Sequence, residues 1–198
     1  MAHLHEIILQ YYPEYHTIER YPANFVAKVG KSSDEWGILG NMTKCPLIID
    51  GVVFPSSEHL FQVMKFTDCE VRKELLSIPS AFAMKSFTVK KYTKQGLVRE
   101  DWGCSIIDAM KYCLCEKYRQ SAVFRQELQR TGKLFIIEDQ TARKHGKDAD
   151  SWGAVLSGDA SEYVGPNLLG RLLMELRDLD GNLAYTLNPN FYDFSDLK

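Results

Sequence analysis

The period of the apolar residues changes several times along the chain, and each change marks an element. In "PLIIDGVVF", starting at Pro46, two short β-rich runs flank Asp50-Gly51, a pair suited to the positive φ angles of a tight turn, so a hairpin is predicted. Pro55 stops the second strand, Ser56 or Ser57 can cap, and Leu60, Phe61 and Met64 follow at helical spacing. A second helix is predicted over residues 70–77, and Pro79 and Ser80 then introduce a short segment, "AFAMKSF". From Asp101 onward, Trp102, Ile106, Met110, Cys113 or Leu114, and Tyr118 recur every three or four residues, the mark of an amphipathic helix of roughly four to five turns. "AVFRQELQR" is a shorter helix closed at Thr131-Gly132, and "KLFIIED" is a buried strand. Residues 140–151 are polar and read as a long loop. The last strong helix is "NLLGRLLMELRDL", with Leu168, Leu172 and Leu176 on one face and Pro166 suited to its first turn. Before Ser33 the pattern predicts only a short strand at "NFVAKV", and beyond Asp180-Gly181 the chain is aromatic and irregular.

This order of elements predicts an α+β fold: one mainly helical domain with a small hairpin or sheet. A length of 198 residues with 45% hydrophobic and 12% aromatic content suffices for one domain with a sizeable core. The formal net charge of −2 provides no global positive field, so any contact with a polyanion must be local. No apolar run approaches the roughly 20 residues of a membrane span, and the first residues lack the cationic start and cleavage site of a signal peptide. A cytoplasmic protein is expected, with no membrane partner. The five cysteines are scattered and odd in number, which predicts buried thiols rather than a disulfide framework. The histidines have no metal-ligand spacing, and neither metal nor cofactor is predicted.

Three charged or polar residues on the first strong helix change this picture. Glu58, Gln62 and Lys65 stand at i, i+4 and i+7, so their side chains can converge on one external point. An ordinary explanation competes, because Glu58 near the helix start and Lys65 near its end both complement the macrodipole. Lys85, Lys90, Lys91, Lys94 and Arg99 form the one marked basic stretch and meet no acidic residue in sequence until Glu100; a solvated loop or an anion site would each account for it. Trp102 and Trp152 are core residues or stacking platforms, and Gly170 inside a helix points to close packing first and ligand approach second.

Several of these stretches, in this order, resemble the NADAR domain family. "LGNM" resembles its first signature, with Gly40 where the family has serine. "PSSEHLFQVMKF" matches its Ser-Glu-His-x-Phe-Gln-x-x-Lys-Phe helix. "SAFAMKS" resembles a segment with a lysine where Lys85 stands, Ala81 replacing a proline. "VREDWGCSIIDAMKYCL" resembles the Arg-x-Asp-Trp helix, and "GPNLLGRLLMELR" matches the family's ending almost letter for letter. The resemblance covers residues 36–177. It divides the chain into an N-terminal extension (1–35), a NADAR-like catalytic domain (36–180) and a C-terminal tail (181–198). One position departs: the family places an aspartate three residues before Trp-Gly, where this chain has Ala149 between Asp148 and Asp150. Asp150 is taken as the substitute, with Asp148 as the other candidate.

What the resemblance implies is an N-glycosidase acting on a ribose C1–N bond. Two activities go with it: removal of ADP-ribose from guanine in nucleic acid, and hydrolysis of phosphorylated riboflavin-pathway intermediates. The form of "LGNM" and of the ending is more similar to the first branch, which is linked to antitoxins of ADP-ribosyltransferase toxins. The implied partners are then ADP-ribosylated guanine in DNA or a nucleotide, ADP-ribose as product, and a cognate toxin. Building positive charge on the ribose needs a carboxylate and a proton source. Glu58 is the expected carboxylate, and a neutral lysine can instead attack the anomeric carbon and form a Schiff base. Lys85 is slightly preferred over Lys65 for that attack, and Asp150 completes the catalytic candidates. Asn41, His59, Gln62, Arg99, Trp102, Trp152, Gly153, Gly165, Asn167 and Gly170 are expected to bind substrate, with the helix start at residues 165–167 presenting amides to a diphosphate. A non-catalytic reader of ADP-ribose, for which Ala149 speaks, is the rival from another class.

Overall fold

The computed structural model describes residues 4–144 and 148–198; residues 145–147, within the stretch read from sequence as a long loop, lie outside the described residues. The chain divides into two compact units, and it passes from one to the other and back. One unit holds residues 4–40 together with Ala122–Asn182, and the other holds Asn41–Ser121 and Leu183–Lys198.

The first unit begins with helix α1 (Leu4–Tyr11) and strands β1 (Glu19–Pro22) and β2 (Val26–Val29). The second unit then opens with the predicted hairpin, β3 (Leu47–Ile49) and β4 (Val52–Phe54), whose turn residues Asp50 and Gly51 have φ of 52° and 84°. It continues through helices α2 (Ser57–Val63), α3 (Cys69–Leu76) and α4 (Ala81–Thr88), a π-helical turn at Val89–Thr93, a 3-10 segment at Glu100–Ser105 and the long helix α5 (Ile106–Gln120). α2 packs against α3, α4 and α5. The tail returns to this unit: Phe191 and Phe194 are fully buried, and the Phe194 ring lies 4.8 Å from that of Phe54. Arg72 fastens it further, donating to the Asp193 carbonyl at 2.6 Å and pairing with Asp196 at 3.1 Å. The expected irregular tail is therefore part of a core.

Back in the first unit come α6 (Ala122–Arg130), β5 (Phe135–Glu138), α7 (Thr141–Lys144), β6 (Val155–Leu156), β7 (Glu162–Gly165) and α8 (Leu168–Asp178). β2 pairs in parallel with β5, while β1, β7 and β6 form an antiparallel sheet in that order. Within the expected N-terminal extension packed on the domain, residues 19–29 supply two strands to this unit. Tyr21, Ile137, Ala154 and Tyr163 form its core cluster. The stretch expected as a loop starts with α7, and Pro166 stands before the cap residue Asn167 of α8, not in its first turn. Of the cysteines expected to be buried, Cys45 and Cys113 are, Cys69 and Cys115 are partly covered, and Cys104 is exposed.

α8 lies against β5, and Gly170 sets the distance. A Cβ built there would stand 2.1 Å from the Ile136 carbonyl oxygen and 2.4 Å from Asn167 Nδ2. Alanine improves helix propensity by about 1 kcal/mol, but the clash is with backbone that cannot yield without moving the strand. Gly170→Ala is expected to destabilise the protein by about 3 kcal/mol, read from urea denaturation. A neutral or stabilising effect would contradict this packing.

Candidate active site

An ordinary amphipathic helix keeps its charges in water, and α2 does not. All seven residues from Ser57 to Val63 are buried, Glu58 being 4% and Gln62 1% exposed. A carboxylate removed from water must find hydrogen bonds or opposite charge. Glu58 finds both: Gln62 Nε2 donates to its Oε1 at 2.7 Å, and the Lys85 ammonium stands 3.9 Å from the same oxygen. The other amide atom, Gln62 Oε1, is buried with no hydrogen-bond partner among the described residues. Such an orphan acceptor is costly unless a ligand supplies the donor.

The start of α2 is held from several directions. Ser56 is the N-cap and accepts from the His59 amide. The Asn41 carbonyl accepts from the Glu58 amide at 3.1 Å, while Asn41 Oδ1 accepts from the Ser57 hydroxyl at 3.2 Å. His59 is occupied at both ring nitrogens, 2.8 Å from Ser56 Oγ and 3.0 Å from the Ile78 carbonyl. A carbonyl only accepts, so Nε2 carries the proton and Nδ1 accepts from Ser56. Burial lowers the His59 pKa, which favours this neutral form. Asn41 and His59 thus orient the helix that carries Glu58; the structure places both side chains in framework hydrogen bonds.

Lys65 lies just past the end of α2, its amide donating to the Gln62 carbonyl at 3.3 Å. Its chain is partly exposed, yet its ammonium lies 5.3 Å from the centre of the Phe61 ring and 5.6 Å from that of Trp102. Desolvation there, opposed by the Glu58 charge and reinforced by Lys85, lowers its pKa to about 8. An amine of that pKa is partly neutral near pH 7, and hence both a nucleophile and a proton carrier.

The basic stretch is broken up in space by an acid that sequence order hid. Glu74 on α3 accepts from Lys91 at 2.8 Å and also from the Tyr92 hydroxyl. Arg99 is committed as well: it forms a two-pronged pair with Asp101 at 2.6 and 3.1 Å, donates to Asn190 at 2.7 Å, and lies 3.3 Å over the Phe191 ring. The guanidinium expected to contact substrate thus holds the tail through Asn190 and Phe191. Trp102 is buried between Phe61 and Phe191, with ring centres 5.1 and 6.4 Å away, and offers its face to Lys65. Lys90 and Lys94 remain exposed.

The other candidates belong to the first unit. The expected diphosphate site at residues 165–167 is not available. The amides of Asn167, Leu168 and Leu169 already donate to the carbonyls of Gly153, Ser151 and Trp152 at 3.0, 3.1 and 3.0 Å. Asn167, in the left-handed region at φ 49°, donates from Nδ2 to the Ile136 carbonyl at 2.8 Å and accepts the Glu138 amide at 3.1 Å. Its side chain is a clamp between α8 and β5, and Gly170 makes room for it. A Cβ at Gly165 would come within 2.5 Å of the Gly153 carbonyl, and one at Gly153 within 2.5 Å of the Glu138 carbonyl, so both glycines serve close backbone packing. Asp150 accepts from Gln140 at 2.6 Å and from the Trp152 amide at 3.0 Å, holding the turn into partly exposed Trp152. Asp148, Ala149 and Asp150 together border a cleft of about 710 Å³ that also touches α1. Among the described residues no three His, Cys, Asp or Glu side chains are placed to share a metal, and no helix is long and apolar enough to cross a membrane.

The fold is α+β, and its short helix α2 carries a buried Glu58–Gln62 pair that Lys85 of α4 approaches. Residues 13–179 match the model of the NADAR domain, and the chain is a member of that family. It is 31% identical over 147 residues to the N-glycosidase YbiA of Escherichia coli (strain K12), an alignment covering 74% of this chain and 83% of YbiA. The riboflavin biosynthesis protein VVA0006 of Vibrio vulnificus (strain YJ016) is 29% identical over 152 residues, but the chain spans only 38% of that protein's length. The NMR structure of the E. coli protein YbiA superposes with a TM-score of 0.61 at 28% identity, covering 78% of this chain and 83% of the other.

Proposed function

We propose that this protein is an N-glycosidase that cleaves the ribose C1–N bond of ADP-ribosylated guanine, releasing ADP-ribose and restoring the base. The glycosidase class is supported by family membership and by the likeness to YbiA. The observation that carries the mechanism is the buried Glu58 carboxylate contacted by Gln62 and Lys85, with the desolvated Lys65 amine just past the other end of the helix.

In the reaction the C1–N bond breaks, the guanine nitrogen leaves with a proton, and the hydroxyl of water finishes on C1. Glu58 stabilises the positive charge that develops on the ribose, and the orphan Gln62 Oε1 accepts a ribose hydroxyl. The neutral fraction of Lys65 attacks C1 and displaces guanine; the sugar ring opens to a Schiff base, and water then hydrolyses the imine and frees the lysine. Lys65 is preferred here over Lys85, a choice supported by Lys85 being the half-exposed ion partner of Glu58 whereas Lys65 has the lowered pKa. In this reading the natural counterpart is a toxin that ADP-ribosylates DNA, and the contact with the strand is short and salt-sensitive, made with the few exposed lysines.

The name of the Vibrio relative favours a second reading, hydrolysis of phosphorylated riboflavin-pathway intermediates by the same chemistry. Incubating the protein with a guanine-ADP-ribosylated oligonucleotide and, in parallel, with such an intermediate separates the two. Release of ADP-ribose with restored guanine is the expected result. Turnover of the riboflavin intermediate alone moves the assignment to the second reading. No turnover of either, with ADP-ribose raising the melting temperature, makes the protein a reader.

A further inference from the structure

We infer that Phe82 is the platform on which an aromatic leaving group stacks during cleavage, an inference that rests on the N-glycosidase reading. α4 turns Ala81, Met84 and Thr88 inward, and Ser80 caps its start. Phe82 points the other way and is 73% exposed, the most exposed large apolar side chain among the described residues. A lone surface hydrophobe is ordinary. What distinguishes this one is its neighbour one turn on: Lys85, at i+3, places its ammonium 3.9 Å from Glu58 Oε1.

Helical side chains lean toward the N-terminus, so the Lys85 chain leans over the turn that carries Phe82. Glu58, Lys85 and Phe82 therefore follow one another from the buried carboxylate to the surface. Val89, at i+7 from Phe82, is 42% exposed and continues the apolar strip, with exposed Lys90 beside it. A heterocycle bonded to a ribose at Glu58 leaves the buried cluster along this face and meets the Phe82 ring. Stacking accepts the π face of any base, so the platform selects aromatic over aliphatic leaving amines without choosing between a purine and a pyrimidine.

The test compares wild type with Phe82→Ala and Phe82→Trp, both of which fold because the position is in solvent. On a substrate with an aromatic leaving group, Phe82→Ala is expected to raise KM by about tenfold with kcat within about twofold, and Phe82→Trp to restore KM. A ribosylamine with an aliphatic leaving amine should show no difference among the three. In a separate arm, guanosine 5′-monophosphate is titrated against Phe82→Trp, and saturable fluorescence quenching beyond that of wild type is expected. Quenching in a protein that turns over no substrate would sink the glycosidase reading and leave the platform standing. Turnover with KM unchanged in Phe82→Ala, or with Phe82→Trp as weak as alanine, overturns the platform alone.

Discussion

Glu58→Gln is expected to lower kcat/KM by about three orders of magnitude on whichever substrate the wild type cleaves, while the protein still folds. Glutamine keeps the shape and can still accept from Gln62 Nε2, so the 2.7 Å contact within α2 survives. The negative charge does not. The groups that face it cannot replace that charge: Gln62 is neutral, and Lys65 and Lys85 repel the positive charge that builds on the ribose. A second consequence follows from the direction of the Lys65 shift. Glu58 is the group that raises the Lys65 pKa, against burial and Lys85, which lower it. Without the carboxylate the amine titrates below about 8, so any residual covalent trapping moves to lower pH. Activity within tenfold of wild type, in a variant with an unchanged melting profile, would remove Glu58 from the mechanism.

How far the sequence disclosed this depends on where each residue's partners lie. The hairpin was legible because Asp50-Gly51 is a local signal, and α2 because Ser56 and the apolar spacing are adjacent in the chain. Near the N-terminus β2 was legible within "NFVAKV", but β1 and the pairing of both strands were not. β1 pairs with β7, matching Tyr21 to Tyr163, and β2 with β5, matching Ala27 to Ile136, over more than a hundred residues of separation. The Glu58-Gln62-Lys65 stripe was visible as spacing, but its meaning rests on burial, which period alone does not reveal. Glu74 neutralises part of the basic stretch from another helix, and Asn190 and Phe191 claim Arg99 from the far end of the chain. Phe82 carries no local signal, because only the inward turn of Ala81 and Met84 distinguishes it from a core aromatic within "AFAMKSF".

Letter-for-letter likeness also conceals two kinds of constraint. The "GPNLLGRLLMELR" ending was the strongest match in the sequence, yet its Gly165, Asn167 and Gly170 are explained by close packing and by the clamp of α8 on β5. The amides there have partners within the unit, so no free anion site remains at that helix start. The catalytic expectation therefore narrows to the buried cluster on α2 and the lysines that face it.

Lys65→Met is expected to abolish turnover and covalent trapping together, without loss of stability. Borohydride added to a reacting mixture should fix the sugar on Lys65 of the wild type, located by peptide mass analysis, and leave Lys65→Met unlabelled. The pH dependence gives an independent check. With the pKa lowered from 10.5 to about 8, the neutral fraction at pH 7 is about a tenth, against less than a thousandth for an unshifted lysine. kcat/KM should thus climb about tenfold per pH unit below 8 and level off above it. The same shift fixes the sign of the stability effect. A lysine whose folded pKa lies below its unfolded value carries a penalty that is fully present below pH 8 and fades as pH rises toward 10.5. Removing the amine at pH 7 removes that penalty, while Glu58 keeps Gln62 and Lys85, so Lys65→Met should melt no lower than wild type. Lys85→Met leaves the nucleophile in place and takes away a half-exposed ion partner, so it should retain trapping and lose less activity. A label found on Lys85, or a flat profile across pH 8, would return the covalent role to Lys85 or rule out covalent attack by Lys65.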